Sequence, residues 1–311
     1  MIPANRKKAG MTFRFSSNQH SGASETGRGR PRCASVCVLV AWLLVSLPPA
    51  VFAHGDLFLR IQDLTARIQS GTNPVAPLYL ERGELKRTHG DPAGAQEDYE
   101  LAAKASPGIV DVDLCRARLL VDTEKLQDAL ALFDKVAAAS PEHTEVFIDR
   151  ARLKMKLGDR KGAIADYRKG AFLAASPEPE IFIEWARALA AEKQVPEALN
   201  ALDTGVKTIG PQIKLHECAL DIELQRANTN AAVSRIDEII KIAFRKERWW
   251  AQRGDLLSGM GKAPEARYSY EQSIKAMDKL PPRLQQTPAM ITLRKNVAAA
   301  LGTVSQTGPV K

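Results

Sequence analysis

Starting at Ala95, an alanine recurs every 34 residues: Ala129, Ala163, then, after one extra residue, Ala198, Ala232 and Ala266. A large apolar side chain follows each alanine by four positions: Tyr99, Phe133, Tyr167, Leu202, Ile236 and Tyr270. A mostly small residue precedes each by twelve: Gly83, Ala117, Ala151, Ala186, Leu220 and Gly254. A period of this size constrains the fold more than any single motif does. Each unit must be one supersecondary element, too small to bury its own apolar face and stabilised by stacking on its neighbours.

The spacing within a unit predicts two helices. Residues four apart share one helix face, so each alanine and the large residue after it lie side by side on a second helix. Large residues open the first helices (Tyr79, Phe147, Phe182, Trp250), and the small residue four later lets the second helix approach closely. Gly90, Gly158 and Gly261 stand where a first helix should stop, a position that often needs positive φ. Pro107 and Pro141 close units. Alternation of period two is rare, which argues against a sheet.

These residues resemble the tetratricopeptide repeat, in its exported bacterial form. The resemblance implies an all-α, right-handed solenoid of six helix–turn–helix units with a concave groove, at about 76–109, 110–143, 144–178, 179–212, 213–246 and 247–280. Unit two departs from the pattern with Asp113 at the large position. Unit five departs with His216 there and Leu220 at the small one. Both ends should be capped. Leu57, Ile61, Leu64 and Ile68 predict an amphipathic helix over 56–69 within a segment 54–75. Residues 281–301 supply a last capping helix, and 302–311 read as a disordered tail.

Residues 1–53 are of another kind. They hold seven basic side chains and one acid, then the uncharged run 34–47, then Pro48-Pro49 and Val51-Phe52-Ala53. Basic region, apolar region and small-residue site, in that order, predict a secretory signal cut after Ala53. The alternative is an anchor at 33–53 holding the chain in the inner membrane, facing the periplasm. The leader also carries most of the +8 charge. The body has 37 basic and 35 acidic side chains, too even a balance for a nucleic-acid partner. Cys115 and Cys218 lie three units apart, too far for a disulfide, and read as small buried apolar residues.

No phosphate loop, nucleophile elbow or H-E-x-x-H motif occurs, so no cofactor and no catalytic residue is expected. The expected function is a non-catalytic scaffold or adaptor of the cell envelope. In proteins the chain resembles, the groove is lined from the first helix of each unit. Position by position, that implies Asp111, Leu114 and Arg118, then Glu145, Ile148 and Arg152, then Glu180, Ile183 and Arg187. Asp221 and Asp255 take the arginine position in units five and six, so the groove should turn from positive to acidic. Two readings of this ladder stand. It holds a peptide or partner helix, or each arginine pairs with an acid on the adjacent helix.

Trp250 is expected in the core and Trp249 partly exposed. His54, freed by cleavage, is a weak copper-ligand candidate beside the plainer reading that Asp56 caps the first helix. An accessory subunit of an envelope enzyme is the remaining alternative.

Overall fold

The computed structural model describes residues 50–71 and 74–306, with the side chains of 50–55 and of 305–306 excluded. The leader expected at 1–53 therefore lies almost wholly outside the described residues, as does the His54 side chain. Among the described residues there is no strand, and no helix is long and apolar enough to cross a membrane. The chain divides into two compact units, one ending at Gly55 and the other running from Asp56 onward, and the second holds the repeats.

Six helix pairs follow one another, each joined by a short turn. They are α2 (Ala76–Thr88) with α3 (Pro92–Ala105), α4 (Val110–Asp122) with α5 (Leu126–Ala139), and α6 (Thr144–Leu157) with α7 (Arg160–Leu173). Then come α8 (Pro179–Ala191) with α9 (Val195–Ile209), α10 (Ile213–Gln225) with α11 (Thr229–Ile242), and α12 (Glu247–Gly259) with α13 (Ala263–Asp278). Ahead of them is α1 (Ala50–Gln69), and behind them are the short α14 (Pro282–Gln285) and α15 (Pro288–Gln306).

The periodic residues form the interior. All six alanines of the 34-residue series are fully buried, and the large residues that follow them are buried too. Close approach explains the small position. A Cβ added to Gly83 would lie 2.5 Å from Cε1 of Tyr99, and one added to Gly254 would lie 2.5 Å from Cε1 of Tyr270. Unit five differs, with Leu220 packing on Ile236 where the other units set a glycine or alanine against the larger residue.

Each turn bends through one residue of positive φ at the same register. Glycine fills it in units one, three and six, while Glu124 (φ 58°), Lys193 (φ 60°) and Ala227 (φ 56°) fill it in the others. The second helices of units one and three start on an aspartate. The Asp91 carboxylate accepts from Gly94 N–H at 2.9 Å, and Asp159 does the same for Gly162.

Three expectations change. Helix α1 starts at Ala50, so Asp56 sits inside it and does not cap it; after Pro49 only Gly55 interrupts a run of residues that tolerate a helix. The segment expected as a tail from 302 is helical to Gln306, because Val304 is buried beside Met277 and Val297 in the last core cluster. Residues 307–311 lie outside the described residues. The two tryptophans exchange roles: Trp249 is buried and Trp250 half-buried. Trp249 packs with Leu220 and Ile236 and lies under Arg248, 4.0 Å from its ring centroid. Trp250 sits edge-on to Tyr268.

Candidate functional site

The aliphatic members of the ladder brace the stack. Leu114, Ile148 and Ile183 are all buried, and Ile183 also lines an open cavity. Leu114 packs in the cluster around Phe133, and Ile148 fills the space over Gly170.

The arginines divide into two kinds. Arg118 donates to Asp149 at 2.6 Å and to Glu145 at 2.7 Å. Arg152 grips Glu184 with two hydrogen bonds, at 2.9 and 3.1 Å, and reaches Asp149 at 3.4 Å. Burial works against the Arg118 charge, but Asp149 and Glu145 outweigh it and raise its pKa. Both arginines thus find their acids on the first helix of the next unit, at the sixth position of that helix's register. In unit five that position holds Cys218, and the second position holds Lys214. Arg187 consequently has no carboxylate partner among the described residues. It is exposed, and the group it meets is the Cys218 thiol, which burial pushes upward in pKa. Of the three ladder arginines, Arg118 and Arg152 are therefore matched, and Arg187 keeps an unmatched positive charge.

Beside Arg187 the groove widens into a cavity of about 530 Å³ over units four to six. Ile183, Leu220 and the buried Trp249 give it an apolar floor. Lys214 bonds Glu180, and Arg248 bonds Glu217 at 2.5 Å, so those four charges are matched. Arg187 and the exposed Asp221 are left, together with the Gln252 amide. Asp255, by contrast, accepts from the Tyr270 hydroxyl at 2.8 Å. Asp111 meets the His143 ring at 3.1 Å and lies outside this cavity.

A second cavity in units one to three, about 390 Å³, differs in kind. Arg87 pairs with Asp122 and Glu84, Lys156 pairs with Glu124, and Arg118 and Arg152 are held as above. Burial opposes ionisation of Glu84, but hydrogen bonds from Arg87 and Tyr99 hold its carboxyl below the usual range.

Some of the site gives no sign in the sequence reading. Cys218, Glu217, Arg248 and Gln252 join it, and extending the register comparison to the sixth position would have found the first. A buried charge motif was equally hidden. Asp98, 1% exposed, takes two hydrogen bonds from Arg82 and an ion pair from Lys86. Asp166 repeats this with Arg150 and Lys154. Cys115 is apolar packing, and burial pushes its thiol up to about 12. No group of three or more metal-ligating side chains occurs among the described residues.

Stacked helix pairs with a groove along one side define the class: a helical-repeat protein that works by presenting a surface. Residues 80–144 match the model of the tetratricopeptide repeat, so the chain carries tetratricopeptide repeats there, and the six stacked pairs share that helix–turn–helix form. Such repeats serve in general as protein-binding scaffolds. No curated protein matches the chain. Similar solved structures include a tetratricopeptide repeat protein from Parabacteroides merdae, with 16% identity, 79% of this chain and 94% of that one covered, and a TM-score of 0.44. MamA from Desulfovibrio magneticus aligns at 17% identity over 54% and 94%, with a TM-score of 0.44. YrrB, described as having an unusual peptide-binding site, aligns at 13% over 66% and 99%, also at 0.44.

Proposed function

We propose that this chain is a non-catalytic scaffold that holds an extended peptide or a partner helix in its groove, over units four to six. The observation that carries the reading is the pair Arg187 and Asp221, exposed and without ion partners at a 530 Å³ cavity whose other charges are matched. A peptide backbone offers carbonyls to the guanidinium and N–H groups to the carboxylate. Ile183, Leu220 and Trp249 then cover the apolar side chains of the guest. The leader supports export and work in the cell envelope, with the signal cut near Ala53 and an anchor at 33–53 as the variant of the same address.

The test is affinity capture from the native cell with four baits: wild type, Arg187→Glu, Cys218→Asp and the off-site control Arg168→Glu. Cys218→Asp gives Arg187 the acid that Arg118 and Arg152 already have, so it should close the site while keeping the arginine. Loss of one partner from both site variants, retention by the control, and a mature amino terminus at His54 are expected. A partner retained by both site variants refutes the groove reading.

A further inference from the structure

Phe244 is 98% exposed, in the connection between α11 and α12. Its position is fixed on both sides. Ala243 before it is buried, with its N–H on the Ile239 carbonyl at 2.8 Å. Glu247 after it is buried too, its carboxylate on Arg245 at 2.6 Å and its carbonyl accepting from Ser273 at 2.7 Å. A phenylalanine held in water between two anchored residues forgoes the gain of burial.

The ring borders a cavity of about 400 Å³. Trp250, Leu280 and Leu284 add apolar surface to its lining. The rim is basic. Lys246, Lys275 and Lys279 line it and have no carboxylate partner among the described residues. The one acid of the lining, Glu247, is already taken by Arg245. An apolar hollow with an unmatched basic rim fits an occupant that is apolar where it enters and acidic where it lies on the rim. The chain's own leader does not qualify, since it carries seven basic side chains against one acid.

We propose that this hollow is a second docking site, separate from the groove, for an acidic partner segment that inserts a large aliphatic or aromatic side chain against Phe244 and Trp250. The rim lysines bind its carboxylates and steer it to the site, with the salt dependence that such steering brings. The apolar contact sets how long it stays.

The probe is a labelled synthetic peptide with leucines four apart among glutamates, read by fluorescence anisotropy on the full chain. Its all-lysine counterpart and phosphatidylglycerol vesicles are run in parallel. The acidic peptide should bind. Lys275→Glu/Lys279→Glu and Phe244→Ser should each weaken it at least about tenfold, while Arg187→Glu leaves it unchanged, so this site and the groove succeed or fail separately. Phe244 and both lysines are exposed, so circular dichroism should show all variants folded. Absent binding, equal binding by the lysine peptide, binding of vesicles alone, or insensitivity to either variant overturns the proposal.

Discussion

Ala227 holds a backbone conformation that suits glycine. Its φ is 56°, at the turn register where units one, three and six use Gly90, Gly158 and Gly261. An L-residue there carries a penalty of about 1–2 kcal/mol from its Cβ against the following carbonyl. Replacing it with glycine removes that strain but frees the unfolded chain, which returns about 0.4–1 kcal/mol. Ala227 is exposed, so no packing is lost. Its neighbours keep their bonds: Ala227 N–H on the Leu224 carbonyl at 3.0 Å and Asn228 N–H on the Glu223 carbonyl at 2.9 Å. Ala227→Gly should therefore stabilise the chain by about 0.5–1 kcal/mol, raising Tm by about 1–2 °C for a chain of this size. Ala227 is the cleanest of the three sites, because Glu124 also pairs with Lys156 and would lose that contact. Urea titration followed by far-UV circular dichroism should show a higher midpoint at constant slope. Amide exchange in α10 and α11 should slow about threefold. A lowered midpoint refutes the strain argument, because the unfolded-chain term, at most about 1 kcal/mol, does not exceed the smallest strain.

His216 should make stability depend on pH. Burial first, then the nearby Arg235, holds its pKa below the ordinary value against the opposing pull of Glu238 and Asp203. The unfolded chain therefore takes up a proton that the folded one resists. Stability should fall as pH drops below about 6.5, by at most about 1.4 kcal/mol per pH unit, until the folded group titrates too. Urea midpoints at about pH 8 and about pH 5 should converge in His216→Leu; an unaltered difference excludes this residue as the cause. Asp98→Asn should lower stability by about 3 kcal/mol, since it leaves the half-buried Arg82 and Lys86 without their buried carboxylate. Lys135→Ala, which removes only an exposed partner of Asp113, should change it by less than about 1 kcal/mol; comparable losses in the two variants would contradict the role of burial.

The repeat was legible because stacking demands identical sizes at identical registers, and Ala95 to Ala266 record that demand directly. Turns without glycine were not legible: Glu124, Lys193 and Ala227 adopt the glycine conformation because the helices on either side dictate it. Asp98 and Asp166 looked like the other helix carboxylates. Only the arginine sixteen residues earlier in each unit, Arg82 or Arg150, marks them as buried. In the groove, the ladder positions could be read, but their contacts could not. A guanidinium facing open groove and one bound to the next helix have the same local sequence. The difference lies 31 or 32 residues downstream, in Asp149, Glu184 or Cys218.

That downstream residue reconciles the two readings of the ladder, which apply to different units. Where a carboxylate follows at the sixth position of the next first helix, the arginine ties one unit to the next. Arg118 and Arg152 do so, and the groove there offers matched charge. Where the carboxylate is replaced by a thiol, the same arginine remains at the surface and the groove offers an unmatched cation. The replacement falls in unit five, which also departs from the pattern at His216 and Leu220 and puts Lys214 where units two to four have an acid. These departures are separate substitutions with one consequence in common. Each removes a feature that makes unit five a good spacer: the aromatic opening residue, the small contact position and the two acids that would bind the preceding arginine. A unit whose only task was to extend the solenoid would be expected to keep them. Unit five gives up the charge ties and, with Leu220 beside Trp249 of unit six, gives the cavity an apolar floor.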